Sequence, residues 1–171
     1  TTAINLAASL YVAPLDWIRT VFGGRKRRFI VYGQNREGEE GNLVFRKHDP
    51  QRFADDLAQA AYVVSHGGSN LIAESLHLKK PLLSFPIRIH YEQHLNAHLL
   101  AEAGLGGFGQ TRSGPAAVDA FEADLARYNR RLAGAARWSE RSITDRLREL
   151  IGETRPRAAS AEGPQCLAMS V

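Results

Sequence analysis

Short apolar runs alternate with stretches of helical spacing along most of this chain. Ile4 to Val12 is apolar enough for a first strand. Pro14 to Phe22 then places Leu15, Ile18 and Phe22 on one side of a helix that begins on proline. Phe29 to Tyr32 reads as a second strand ending at Gly33, Gln34 to Gly41 as a polar, glycine-punctuated loop, and Asn42 to Phe45 as a third strand. Asp49-Pro50 is a cap followed by a first-turn proline, opening a helix with Phe53, Leu57 and Ala60 inward. Tyr62 to Ser65 and Leu82 to Phe85 give a fourth and fifth strand. Tyr91 to Ala103 is a helix with Leu95, Leu99 and Leu100 on one face, closed by Gly104. Beyond Gly109 the spacing is helical, over Pro115 to Leu132 and again over Trp138 to Ile151. Thr154 to Val171 is rich in Pro, Ala, Ser and Gly without a period, which predicts a disordered tail.

Strands that alternate with helices predict parallel pairing. The expected fold is α/β, a Rossmann-like doubly wound parallel sheet with helices on both faces. One domain is expected over residues 1–152, with the tail over 153–171. Sheets of this kind bind ligands outside the carboxyl ends of their strands. That edge collects His66, the run Arg46 to His48, and the loop from Ile87 to Gln93.

The most informative stretch runs from Ser65 to Asn96. An apolar run, Tyr62-Val63-Val64, stops at Ser65-His66-Gly67-Gly68, the pattern of a buried strand entering a tight turn. Helical spacing resumes at Ser69, with Leu71, Ile72, Ser75 and Leu76 on one face. The paired glycines let the backbone approach a ligand, and the free amides of the helix that follows favour an anion. Glu74 lies five residues after Ser69, about 7 Å along the helix. That separates a site for phosphates at the helix tip from a site for ribose hydroxyls on its flank.

His66, Gly68, Glu74, Pro81, Pro86, Glu92-Gln93 and Asn96 follow in one order and at set intervals. The series resembles the donor-binding C-terminal half of GT-B glycosyltransferases that use nucleotide sugars, and within them MurG-like transferases. The likeness extends over roughly Arg28 to Gly106. It implies that His66 and the amides of Gly68, Ser69 and Asn70 meet a diphosphate beside the turn at Gly67. Glu74 would bind both ribose hydroxyls, and Glu92 and Gln93 would face the donor sugar. Asn96 serves either as a cap that holds this loop or as a ligand contact, and the sequence leaves both open. Arg46, Lys47 and His48 are implied at the base, and Asn35 and Arg36 are candidates at the same edge. Many relatives have Ser or Thr where this chain has Leu71, so one hydroxyl contact is missing. The resemblance implies a nucleotide-sugar substrate, such as a UDP-sugar, with no cofactor and no bound metal. It also implies an N-terminal acceptor-binding domain as partner, so this chain alone is expected to be inactive. A nucleotide-sugar epimerase of the same fold is a rival. Its Arg/Thr/Glu/Arg/Pro run is replaced here by Pro86-Ile87-Arg88-Ile89-His90. A binding module without chemistry is a second rival that the sequence leaves open.

Composition narrows the class further. Of 171 residues, 44% are hydrophobic and 23% charged, as in soluble globular domains. No apolar run reaches the length of a membrane span. The net charge of +4 suits a phosphate-bearing ligand or peripheral contact with an anionic membrane surface. The basic run Arg25 to Arg28 has no interleaved aromatics, so a solvated loop is expected there and no nucleic acid. Cys166 is the single cysteine, which fits a reducing cytoplasm. His90, His94 and His98 have a spacing that suits a metal on a helix, but no cysteine joins them.

Overall fold

The computed structural model of the protein describes residues 4–7, 10, 12–135, 145 and 148. The chain divides into two units, Thr1–Ala136 and Arg137–Val171, and nearly all described residues belong to the first. The expected tail and all but two residues of the helix over Trp138 to Ile151 lie outside the described residues.

In chain order the elements are β1 (Ile4–Ala7), α1 (Leu15–Phe22), β2 (Arg28–Val31), β3 (Gly38–Glu40), β4 (Leu43–Phe45) and α2 (Pro50–Gln59). These are followed by β5 (Val63–Ser65), α3 (Ser69–His77), β6 (Leu82–Ser84), α4 (Tyr91–Glu102), β7 (Gly106–Phe108), α5 (Gly114–Ala123) and α6 (Leu125–Gly134). The strands form one sheet in the order β3-β4-β2-β1-β5-β6-β7. All pairs are parallel except β3 with β4. With that antiparallel strand set aside, the order is that of a doubly wound dinucleotide-binding sheet. Strand order reverses between β1 and β5, so a crevice opens there at the carboxyl edge.

Both faces of the sheet are buried, and successive residues of β2 show how. Phe29 and Val31 join a cluster with Ile18 and Phe22 of α1, Val118 and Phe121 of α5, and Phe85 just after β6. Ile30 and the following Tyr32 join Leu57 of α2, Leu71 of α3, Leu100 of α4 and Leu82 of β6. A strand buried on both faces is a continuous apolar run, which is why these strands stood out in the sequence. The α2 start also follows expectation. Asp49 accepts a hydrogen bond from the Arg52 amide at 2.7 Å, and Pro50 occupies the first turn.

Several elements differ from the reading of the sequence. The first strand is shorter, ending at Ala7. The loop over Gln34 to Gly41 contains β3, which turns back through Gly41 and pairs with β4. Its charged residues are typical of an edge strand, and Glu40 is held by Arg19 at 2.9 Å. β7 begins with two glycines, and packing accounts for both. A Cβ on Gly106 would lie 2.2 Å from the Leu82 carbonyl, and one on Gly107 would lie 2.7 Å from the Phe121 ring. The helix over Pro115 to Leu132 breaks at Asp124 into α5 and α6. The inward face of α4 is Gln93, Ala97 and Leu100, while Leu95 and Leu99 are exposed. Within the basic run, Arg25 pairs with Asp119 at 2.7 Å, Arg27 with Glu122 at 3.5 Å and Arg28 with Glu39 at 3.0 Å. Among the described residues no helix is long and apolar enough to cross a membrane.

Candidate functional site

The turn after β5 is built by short local bonds. The Gly67 amide donates to the Ser65 hydroxyl at 3.0 Å, and the Gly67 carbonyl accepts from the Asn96 side-chain amide at 3.1 Å. Gly67 has a φ of +88°, which an L side chain rarely adopts. A Cβ there would lie 3.1 Å from the Gln93 carbonyl. Gly68 caps α3 with an ordinary φ of −66° and accepts the first helical bond, from Ile72, at 3.2 Å. The amides of Ser69, Asn70 and Leu71 therefore have no partner within the helix and point along its axis.

A cleft of about 570 Å³ opens over this turn. Its floor and one wall are Ser65, His66, Gly68, Ser69, Asn70 and Leu71, with Glu74 beyond them on α3. Asn70 and Glu74 are four residues apart and share a helix face. One end is formed by Tyr32, Gly33, His48 and Phe53, from the carboxyl ends of β2 and β4 and from α2. The opposite end is formed by His90, Glu92 and Gln93, where α4 begins. No arginine or lysine is among the described residues that line it.

His66 is 7% exposed and its Nδ1 lies 2.9 Å from the Phe85 carbonyl. A carbonyl only accepts, so Nδ1 carries the proton. Burial holds the imidazole below its ordinary range, against the opposing effect of that hydrogen bond. The neutral ring therefore has an acceptor at Nε2, and a bond from Nε2 to an anionic oxygen requires the imidazolium.

The residues singled out in the sequence divide into two groups. His66, Gly68, Ser69, Asn70, Glu74, Glu92, Gln93 and His48 line the cleft. Gln93 does so with its oxygen engaged, accepting from the Ile87 amide at 3.0 Å, so it holds the loop that precedes α4. Gly67 and Asn96 shape the turn from behind. Asn96 also lies 3.4 Å from Glu92 Oε1, which ties the turn to α4. Arg46 is turned away, its guanidinium paired with Asp56. Arg36 pairs with Glu40 at 2.6 Å and lies over the Phe45 ring. Lys47 and Asn35 are exposed and outside the cleft lining. Among the described residues no group of His, Cys, Asp or Glu is arranged to hold a metal ion.

Tyr32, Gly33, Phe53, Ser65, Leu71 and His90 line the cleft without having been singled out as site residues. The position of Gly33, directly after a strand at the carboxyl edge, was an available signal. Tyr32 and Phe53 read as ordinary core positions. Tyr32 donates its hydroxyl to Asp56 at 2.6 Å, and burial pushes that hydroxyl up to about 12, so it remains a donor.

Residues 12–126 match glycosyl transferase family 1. The uncharacterized glycosyltransferase MK0977 of Methanopyrus kandleri is 36% identical over 77 residues, which cover 45% of this chain and 22% of that protein. Among solved structures, the glycotransferase of kitacinnamycin superposes with a TM-score of 0.64 at 20% identity, covering 91% of this chain and 44% of the other. The spinosyn rhamnosyltransferase SpnG, complexed with thymidine diphosphate, gives 0.61 at 16% identity over 78% of this chain and 40% of its own length. The chain thus spans less than half the length of each of these relatives.

Proposed function

Because the chain belongs to glycosyl transferase family 1, we propose that it is the donor-binding half of an enzyme that moves a sugar from a nucleoside-diphosphate sugar to an acceptor hydroxyl. The observation that carries this reading is the cleft at the tip of α3, with free amides at one point and Glu74 on the same helix about 7 Å further on. In this reading the base lies toward Gly33 and His48, the ribose hydroxyls bond Glu74, and the diphosphate meets the α3 tip beside His66. The donor sugar then lies toward Glu92. SpnG holds thymidine diphosphate, which supports testing dTDP beside UDP.

The proposed reaction is attack of an acceptor oxygen on the anomeric carbon. A new glycosidic C–O bond forms as the bond to the diphosphate breaks, and the nucleoside diphosphate leaves with the electron pair. The acceptor proton passes to a base. Fixed dipoles at the α3 tip stabilise the charge that grows on the leaving group. Acceptor binding and the base belong, on this proposal, to an N-terminal domain of the kind expected from the sequence.

Calorimetric titration with UDP, dTDP, GDP and their sugars tests the reading. Dissociation constants between roughly micromolar and millimolar are expected for half a cleft. Absence of heat with every nucleotide at millimolar concentration overturns it.

A further inference from the structure

Asp56 is the one buried carboxylate among the described residues, at 6% exposure. Its Oδ2 receives two donors, the Tyr32 hydroxyl at 2.6 Å and the Arg46 guanidinium. These partners leave the sheet side by side, because Val31 and Phe45 are register partners in adjacent parallel strands. The Arg46 amide also donates to the Val31 carbonyl at 3.0 Å. Asp56 therefore fastens α2 to the carboxyl ends of both β2 and β4, and the pair with Arg46 closes the segment between them, which carries His48. Phe53 lies one turn before Asp56 on α2, and its ring meets Tyr32 edge-on at 5.2 Å between centroids and His48 at 6.3 Å. Three of the groups that form this end of the cleft are thus placed by one buried oxygen.

A buried ion pair adds little net stability compared with an apolar filling of the same volume. Its specific effect is geometric: two strand ends and a helix can satisfy one carboxylate in only a narrow range of arrangements. We infer that Asp56 is a positioning residue for nucleobase recognition. Through Tyr32 and Arg46 it sets the ring-lined wall of Tyr32, Phe53 and His48 against which the base rests. This inference rests on the nucleotide-sugar reading of the cleft.

The test compares a ligand that has a base with one that lacks it. UDP and inorganic pyrophosphate are titrated calorimetrically into the wild-type chain, Asp56→Asn and Tyr32→Phe, with melting curves to confirm folding. Asp56→Asn is expected to weaken UDP at least tenfold and to change pyrophosphate less than twofold. Tyr32→Phe keeps the ring and loses only the hydroxyl bond, so a smaller loss of about threefold, again confined to UDP, is expected. A role in stability alone would lower the melting temperature and leave the ratio of the two affinities unmoved, and that result overturns the inference. If Asp56→Asn fails to fold, the ratio in Tyr32→Phe decides. Binding of no nucleotide by the wild-type chain overturns the functional reading together with this inference. Nucleotide binding with an unmoved ratio overturns this inference alone.

Discussion

Gly67 and Gly68 are adjacent, yet the structure gives them opposite consequences on replacement by alanine. At Gly67 the φ of +88° disfavours any Cβ, and the added atom would meet the Gln93 carbonyl at 3.1 Å. The left-handed conformation costs about 1–2 kcal/mol, and relief of the contact brings the expected loss for Gly67→Ala to about 2 kcal/mol. For a domain of this size that corresponds to a fall in melting temperature of roughly 5–8 °C. At Gly68 the φ is −66° and a Cβ meets nothing within 4 Å. Alanine there gains about 0.4–1 kcal/mol by restricting the unfolded chain and loses a similar amount as a poorer N-cap. Its melting temperature should stay near wild type. Gly68 lines the cleft, however, so the new methyl occupies the place where a diphosphate would approach the α3 amides. Nucleotide affinity should fall at least tenfold, which is about 1.4 kcal/mol. Scanning fluorimetry reads the stability and calorimetry with UDP or dTDP reads the affinity. A folded Gly68→Ala that binds as wild type refutes the phosphate site at this turn, and an unshifted melting temperature in Gly67→Ala refutes the backbone argument.

Glu74→Ala should weaken a ribonucleotide by roughly 1.5–3 kcal/mol and its 2′,3′-dideoxy analogue far less; equal losses in calorimetry would place Glu74 away from the ribose. His66 gives a pH dependence with two signs. Burial lowers its pKa, so below about 6.5 the unfolded chain binds more protons, and stability without ligand should fall as pH drops through that value. Binding of a nucleoside-diphosphate sugar, whose diphosphate carries no titrating proton there, should instead tighten between pH 8 and 6 if the imidazolium meets the anion; a flat profile that matches His66→Asn would count against that contact. Sugar transfer from a radiolabelled donor should be absent with this chain alone and restored by a preceding acceptor-binding domain; robust transfer by the 171-residue chain would overturn that division of labour.

Local signals explain what could be read in the sequence. The turn at Gly67-Gly68, the α3 start and the Asp49-Pro50 cap depend on residues within a few positions of one another. The β2, β5 and β6 strands are apolar runs because both sheet faces are covered. β3 and β7 lack that signature: one is a charged edge strand and the other opens with glycines required by Leu82 and Phe121. Side-chain allegiance was the harder problem. Arg46 is ten residues from Asp56, its carboxylate partner, while Trp17 bonds the Thr111 carbonyl at 2.7 Å across most of the domain. Gln34, in a polar loop, donates to the Leu10 and Ala13 carbonyls at 2.8 and 3.2 Å. Pairings of this kind follow from which strands lie side by side, and spacing along the chain does not encode them.

The charge balance of the cleft sets the scale of how strongly this chain can hold a diphosphate. A diphosphate diester carries two negative charges, and no arginine or lysine is among the described residues that line the site. The α3 tip contributes the equivalent of about half a positive charge. His66 adds a full charge only when protonated, which its burial opposes. The remaining negative charge must stay hydrated or meet cations from elsewhere. With the site open to water on one side, a hydrated diphosphate is tolerable for binding. It is poor for transfer, because charge grows on the leaving group as the anomeric bond breaks and stabilisation is strongest where water is excluded. Under the proposed function, the affinity of the isolated chain for a nucleoside diphosphate measures the donor half alone. Any excess affinity in a two-domain enzyme measures the charge and dryness supplied by the other half. That excess should shrink with added salt if it comes from cations on the opposing domain, since exposed pairs across an open cleft are screened over a Debye length of about 8–10 Å.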